Sequence, residues 1–223
     1  YNETTYNSKI TLIEKIGHQE WSTKNLCVTH FRNGDPIQEV KNYDDWMNAI
    51  NSNTPARMSY RKSKKKGETY GFFYNWHAII DKRGLAPIGY KIPSKNDWDE
   101  LVNFIGEEKA GEKLKSDTLW KPSSWGEKGT NEYGFNALAG GIMSLFDGTL
   151  KFEQEGKQCL FASNSEVFST QSIFKSETKE WIDIVGTEAK IATRLLWNIK
   201  DECSPSCSYK NGGYYVRCVV ENK

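Results

Sequence analysis

The chain closes on Gly213-Tyr214-Tyr215-Val216-Arg217-Cys218-Val219-Val220, a strand-like stretch that constrains the fold more than any other. Its aromatic and β-branched residues suit a pleated, half-buried surface. Three segments precede it in order. They are Gly17-His18-Gln19-Glu20-Trp21-Ser22-Thr23-Lys24-Asn25-Leu26, Gly84-Leu85-Ala86-Pro87-Ile88-Gly89-Tyr90-Lys91-Ile92-Pro93-Ser94 and Tyr133-Gly134-Phe135-Asn136-Ala137-Leu138-Ala139-Gly140-Gly141. Between them the periodicity changes. Ser94 opens a helix with a capping-box-like start; Trp98, Leu101, Val102 and Ile105 repeat at helical spacing, and Gly106 stops it. Residues 43–50 predict a short helix with Trp46, Ala49 and Ile50 on its inner face. Asn33-Gly34-Asp35-Pro36 reads as a turn, and residues 26–29 as a strand. After Trp125 the texture becomes short apolar runs: 135–138, 161–164, 181–185, 192–197 and 214–220 read as short strands, with an Asp147-Gly148 hairpin. Helices early and strands late make an α+β pattern.

These segments, in this order, resemble the Fibrobacter succinogenes major paralogous domain, from about residue 17 to residue 220. That family belongs to the C-type-lectin-like superfamily and is common in secreted and surface proteins of Bacteroidetes and Fibrobacteres. The resemblance implies a C-type-lectin-like fold: two helices packed on short antiparallel sheets with long irregular loops, first and last strands paired. It sets residues 20–28 beside 214–220 and makes 140–212 the long loops and the second small sheet of the ligand face. It also implies that the block at 70–80 begins the first helix, and it makes Ala110-Gly111-Glu112-Lys113-Leu114-Lys115-Ser116 a further signature. Residues 1–16 read as an N-terminal extension, an edge strand or a linker, and 17–223 as the domain.

Composition limits the function classes. Net charge is +1 and mean hydropathy is −0.70, so no global field points to nucleic acid and no run approaches the ~20 apolar residues of a membrane span. No signal-peptide pattern is visible; the polar start at Tyr1 reads as a trimmed one. Three histidines, His18, His30 and His77, lack metal-ligand spacing. The Glu-Pro-Asn or Gln-Pro-Asp loop of calcium-dependent sugar binders is missing, and Trp197-Asn198-Ile199-Lys200-Asp201 has lysine where a carboxylate is needed. No cofactor is expected.

Five cysteines leave at least one thiol over. Cys203 and Cys207 flank Ser204-Pro205-Ser206, read as a turn, and are disulfide candidates with Cys218, whose partner stays open; Cys218 and Cys27 also read as small buried residues. The superfamily includes the cysteine-dependent formylglycine-generating enzyme, which keeps a cysteine-dependent oxidase as a remote alternative, although the context of this pair differs.

Two sets of residues are candidates for binding. Lys62, Lys64, Lys65 and Lys66, with Arg57 and Arg61, put six positive charges in ten residues, either a solvated loop tip or a docking site for an acidic partner, an acidic polysaccharide or anionic lipid headgroups. Trp181, Trp197, Tyr209, Tyr214 and Tyr215 lie in the implied ligand face; Tyr209 is the one most expected to be exposed. The resulting expectation is a non-catalytic cell-surface binding protein of a Bacteroidetes-like outer membrane, lipid-anchored upstream of Tyr1. It would be an accessory subunit or adhesin recognising a protein at the envelope; the alternative is a calcium-independent carbohydrate-binding module.

Overall fold

The computed structural model describes residues 12–175 and 179–221. In chain order the first half holds β1 (Ile13–Ile16), β2 (Gln19–Ser22), β3 (Gln38–Glu39), α1 (Tyr43–Asn51), β4 (Ala56–Ser59), α2 (Lys64–Tyr70), β5 (Phe72–Tyr74), α3 (Trp76–Ile79), β6 (Tyr90–Lys91), α4 (Lys95–Ile105) and α5 (Ala110–Leu114). The second half holds β7 (Ile142–Phe146), β8 (Thr149–Glu153), β9 (Gln158–Lys175), β10 (Glu180–Trp197), β11 (Cys203–Ser208) and β12 (Val219–Val220). This is a mixed α+β architecture with several small sheets.

The chain's end returns to its start. β1 and β2 form a hairpin on Gly17, β12 pairs antiparallel with β2 through Val219 and Trp21, and the sheet order is β1-β2-β12-β6. The Ser22 amide donates to the Cys218 carbonyl at 2.9 Å and the Leu26 amide to Val216 at 2.8 Å. The pairing that the resemblance implies is therefore present. Residues 26–29 are not a strand, however. Leu26 uses its amide on Val216 and its carbonyl on Phe72, and the chain leaves the sheet there.

α4 forms as its sequence dictates. The Asp97 carboxylate accepts from the Ser94 amide at 2.7 Å, the Ser94 hydroxyl accepts from the Asp97 amide at 3.2 Å, and Gly106 ends the helix at φ 97°. Its inner face, Trp98, Leu101, Val102 and Ile105, is buried. Trp98 packs against Trp21 at 4.7 Å and Phe161 at 5.5 Å between ring centroids, so helix, first strand and β9 share one aromatic core. Each such ring contributes roughly 1.5–3 kcal/mol by burial. α1 is capped by Asn42 and buries Trp46 and Ala49.

Three expectations are corrected. The block at 70–80 does not begin a first helix: Gly71, at φ 82°, breaks α2 and starts β5, because a Cβ there would lie 2.7 Å from Asn25. Residues 135–138 form no strand; Ala137 makes an isolated bridge to Lys115, and Phe135 is buried against Trp21, Trp98 and Phe161. The runs at 161–164, 181–185 and 192–197 are not separate short strands. They belong to β9 and β10, two 18-residue strands paired antiparallel, with β11 on the far edge of β10. Gly186 falls in a register irregularity between Val185 and Ala189; glycine inside a strand pattern marks a bulge as readily as a turn. Residues 140–212 hold the second sheet that the resemblance implies, β11-β10-β9, but its strands are long and the loops are few, with the β7–β8 hairpin and its Asp147-Gly148 turn beside it.

Gly111 fixes how the helices meet this second half. A Cβ on it would lie 2.2 Å from the Glu202 carbonyl oxygen. Gly111→Ala is expected to lower the urea midpoint by the equivalent of about 2 kcal/mol, since backbone must shift to admit a methyl; an unchanged midpoint would contradict this packing.

Candidate functional site

The residues expected to form a ligand face do not converge. Tyr214 and Tyr215 are buried, 4% and 0% exposed, because the segment that carries them is covered on both sides. The Tyr214 hydroxyl donates to the Tyr209 carbonyl, and that of Tyr215 to Gly140 at 2.9 Å. Tyr209 is exposed, as expected, with the Lys190 ammonium 4.3 Å from its ring centroid. Trp197 is half-buried at the far end of β10. Seven residues of strand separate it from Lys190, about 23 Å, so Trp197 and Tyr209 cannot share one small ligand. Trp181 pairs through its backbone with Phe174; its side chain lies outside the described residues.

The cysteine pair is also corrected. Ser204-Pro205-Ser206 is not a turn but the middle of β11, with Pro205 opposite Arg194 on an edge strand. Four residues of strand place Cys203 and Cys207 about 13 Å apart, beyond the ~7 Å that a bridge tolerates. All five thiols are free in the structure. Burial pushes Cys159, Cys203 and Cys218 up to about 12 each, which makes them poor nucleophiles. A thiol reagent is therefore expected to label exposed Cys207 first and Cys27 more slowly, and the other three only in denaturant. Native labelling of more than two thiols, counted by mass, would overturn this. Among the described residues no group of three His, Cys, Asp or Glu is placed to hold a metal ion.

The basic run is not a loop tip. Residues 60–62 form a 3-10 turn and Ser63 caps α2, its hydroxyl accepting from the Lys66 amide at 3.3 Å. Lys62, Lys64 and Lys65 stay exposed, and Lys64 stands 4.0 Å from Glu68. Lys66 turns inward to pair with Glu155, over the rings of Tyr60 and Tyr70. Arg57 pairs with Glu39.

That inward turn marks one wall of a cleft of about 750 Å³. Three segments enclose it: Tyr60, Arg61 and Tyr70; Leu119, Trp120, Lys121 and Pro122; and Gln154, Glu155, Gly156 and Lys157. Its volume is in the range of small-molecule sites. Trp120 is fixed by its indole N–H, which donates to the Ala137 carbonyl at 2.8 Å. Glu155 is held by Lys66 and by the Tyr70 hydroxyl at 3.1 Å. Burial alone would raise the Glu155 carboxyl, but these two donors outweigh it and hold it below the ordinary range. Burial, then the Glu155 acceptor, pushes Tyr70 up to about 12.

Because the folded Glu155 pKa is depressed, its contribution to stability is complete above the unfolded value and is lost as pH falls through the folded one. Glu155→Gln is thus expected to flatten the acid limb of the urea-midpoint profile below about pH 4.5. A limb unchanged from the parent protein would show that the Lys66–Glu155–Tyr70 cluster adds nothing.

Two features set this cleft apart. First, the Tyr60 hydroxyl is buried in a residue with 0% exposure and finds no acceptor for its proton; the Arg61 side chain and the Glu155 backbone N–H approach it as donors. Burial of an unpaired hydroxyl costs about 1–3 kcal/mol. Second, nine non-glycine residues among those described have positive φ, and four are Asn or Asp, which tolerate it. Of the other five, Arg61 (49°), Leu119 (65°) and Gln154 (61°) line the cleft, and Lys62 (58°) adjoins it. Such conformations cost of order 1–3 kcal/mol each and gather at ligand sites.

A second cleft, about 620 Å³, runs between α4 and the β9–β11 sheet and includes Trp98, Phe168 and Cys207. Its walls carry no comparable backbone strain.

Only Arg61 of the cleft's lining was singled out in the sequence. Tyr60, Trp120 and Glu155 come together from positions up to 95 residues apart, and positive φ leaves no mark on an arginine or a leucine. The one local signal is Gln154-Glu155-Gly156, a polar turn ending in glycine.

The fold and cleft define a small α+β domain closed by its own ends and carrying one strained, aromatic and cationic recess. The model of the Fibrobacter succinogenes major domain matches residues 15–220, and the chain belongs to that family. No curated protein and no solved structure matches it.

Proposed function

We propose that this chain is a non-catalytic binding domain on a C-type-lectin-like scaffold, a calcium-independent carbohydrate-binding module displayed at the envelope of a Bacteroidetes-like cell. The pairing of β2 with β12 supports the scaffold. The cleft carries the function. The half-buried Trp120 offers ring surface for the C–H face of a sugar, and Tyr60, Arg61, Gln154, Lys121 and Lys157 surround it with polar groups that suit rows of hydroxyls. The test is a printed array of neutral and acidic glycans probed with the wild type and with Leu119→Asp, a change at an exposed position of the rim. Retention on at least one glycan class, lost in the variant, supports the module; no retention on any glycan sinks it.

A second reading, an accessory subunit or adhesin that grips a protein, draws on Trp125. It is 85% exposed and lies on the same loop as Leu119, 51% exposed. Large exposed rings of this kind anchor protein interfaces. Trp125→Ala separates the two: it should leave glycan retention intact and abolish a protein complex.

A further inference from the structure

We propose that the saccharide held by this cleft is acidic, its carboxylate or sulfate seated between the Tyr60 hydroxyl and the cations of Arg61, Lys121 and Lys157. The proposal rests on the reading of the cleft as a saccharide site and goes on to name the ligand's charge. Three observations carry it.

The Tyr60 phenol is a buried donor with nothing to donate to. A neutral hydroxyl would satisfy it; an anionic oxygen would do so about twice as strongly. The cleft's own carboxylate, Glu155, is already taken by Lys66 and Tyr70. It offsets part of the Arg61 charge without forming an ion pair with it and leaves Lys121 and Lys157 unpaired. Arg61, Lys121 and Lys157 line the cleft and form no ion pair among the described residues, whereas Lys66 in its wall pairs with Glu155. The cleft is left with a surplus of positive charge at its mouth and an unsatisfied donor in its wall.

The backbone supplies the third observation. Arg61 and Leu119 carry their side chains on left-handed backbone from two separate segments, and Gln154 does so from a third. The Arg61 guanidinium is brought over the Tyr60 ring at 5.6 Å. An extended conformation at residue 61 would send that cation elsewhere. The strained backbone holds in the cleft wall a cation that stacks on Tyr60 and has no ion-pair partner.

The experiment is titration calorimetry of the intact protein with oligogalacturonides, alginate oligomers and heparin-derived oligosaccharides. Each is paired with its carboxyl-reduced or desulfated counterpart, at low and at raised NaCl. The expected result is binding of at least one acidic probe, at least about tenfold tighter than its neutral form, weakening with salt. Tyr60→Phe should weaken that probe about tenfold, the loss of one charge-assisted hydrogen bond. Its urea midpoint should be unchanged or higher, so that weaker binding cannot be blamed on misfolding. Arg61→Gln and Lys157→Gln should each weaken it and flatten its salt dependence.

Equal binding of acidic and neutral forms would overturn the inference about charge and leave the saccharide reading standing. Tyr60→Phe binding like the wild type would overturn the seat of the anion. Binding of no saccharide of either kind would bring down the reading itself, and tight binding of a polyglutamate peptide in their place would move the cleft to the protein-partner alternative.

Discussion

Arg217→Ala is expected to remove about 4–5 kcal/mol of folding stability, a large share of the ~5–15 kcal/mol that a domain has. Arg217 is 1% exposed. Its guanidinium donates to the Ser22 carbonyl at 2.6 Å and the Asn136 carbonyl at 3.0 Å, and lies 4.4 Å above the Phe135 ring. No carboxylate is among its hydrogen-bond partners, so the cation is balanced by backbone dipoles and ring faces. Burial lowers its pKa, a sign of what desolvation costs. Alanine would leave two buried carbonyls unpaired and a void the size of an arginine side chain, between the returning end of the chain and the segment at 135–137. Arg217→Met fills most of that void and also removes the desolvation cost, so it should lose less than half as much. Urea midpoints of the two variants decide the matter. Equal losses would mean that the carbonyls, and not the packing, carry the effect; a loss below 1 kcal/mol in both would refute the account.

Lys115→Met should cost about 3 kcal/mol, by leaving buried carbonyls without a donor. The Lys115 ammonium, 1% exposed in its residue, reaches the carbonyls of Lys200 at 3.0 Å, Glu127 at 3.2 Å and, more weakly, Trp197 at 3.5 Å. It ties the loop after α5 to the end of β10, and the same loop carries Leu119 and Trp120 into the cleft. Burial lowers its pKa, with nearby Asp201 and Glu112 opposing that shift. In the interval between the lowered folded value and the ordinary 10.5 of the unfolded chain, the unfolded state binds more protons. Stability carried by this group therefore rises with pH there. The wild-type-minus-variant difference in midpoint should climb with pH toward 10.5, and trypsin should cut the variant faster at Lys121 and Lys128. A flat difference would deny the buried ammonium.

Local signals carried the parts of the fold that are settled locally. Ser94, Asp97 and Gly106 define α4 through hydrogen bonds within three or four residues. Asp147-Gly148 defines its hairpin in the same way; the run at 214–220, read as one strand, is strand only at Val219–Val220, because Tyr214 and Tyr215 make isolated bridges to Tyr74 and Phe161 instead. The second half was harder because β9 and β10 draw each other out. Pairing over 18 residues overrides Asn164, Ser165 and Gly186, which locally favour turns. The cysteine pair failed for a related reason: Ser204-Pro205-Ser206 suits a turn, and also the outer edge of a sheet. The cleft was least legible. It depends on three distant segments and on backbone angles that no residue type declares, and the run of lysines beside it drew notice for its charge when only Lys66 turns inward.

Because β1 and β12 flank β2 on its two sides, residues 13 and 220 stand about a dozen ångströms apart, two strand spacings and a short offset. To a longer polypeptide that carried it, the domain would be a ring with a narrow neck, entered and left at one place. A host loop could accept it without prising its own ends apart. The same ring could be reopened elsewhere. A linker of about five residues spans the neck, and a circular permutant cut between Asp147 and Gly148 would keep the same sheet order with new ends at the tip of the β7–β8 hairpin.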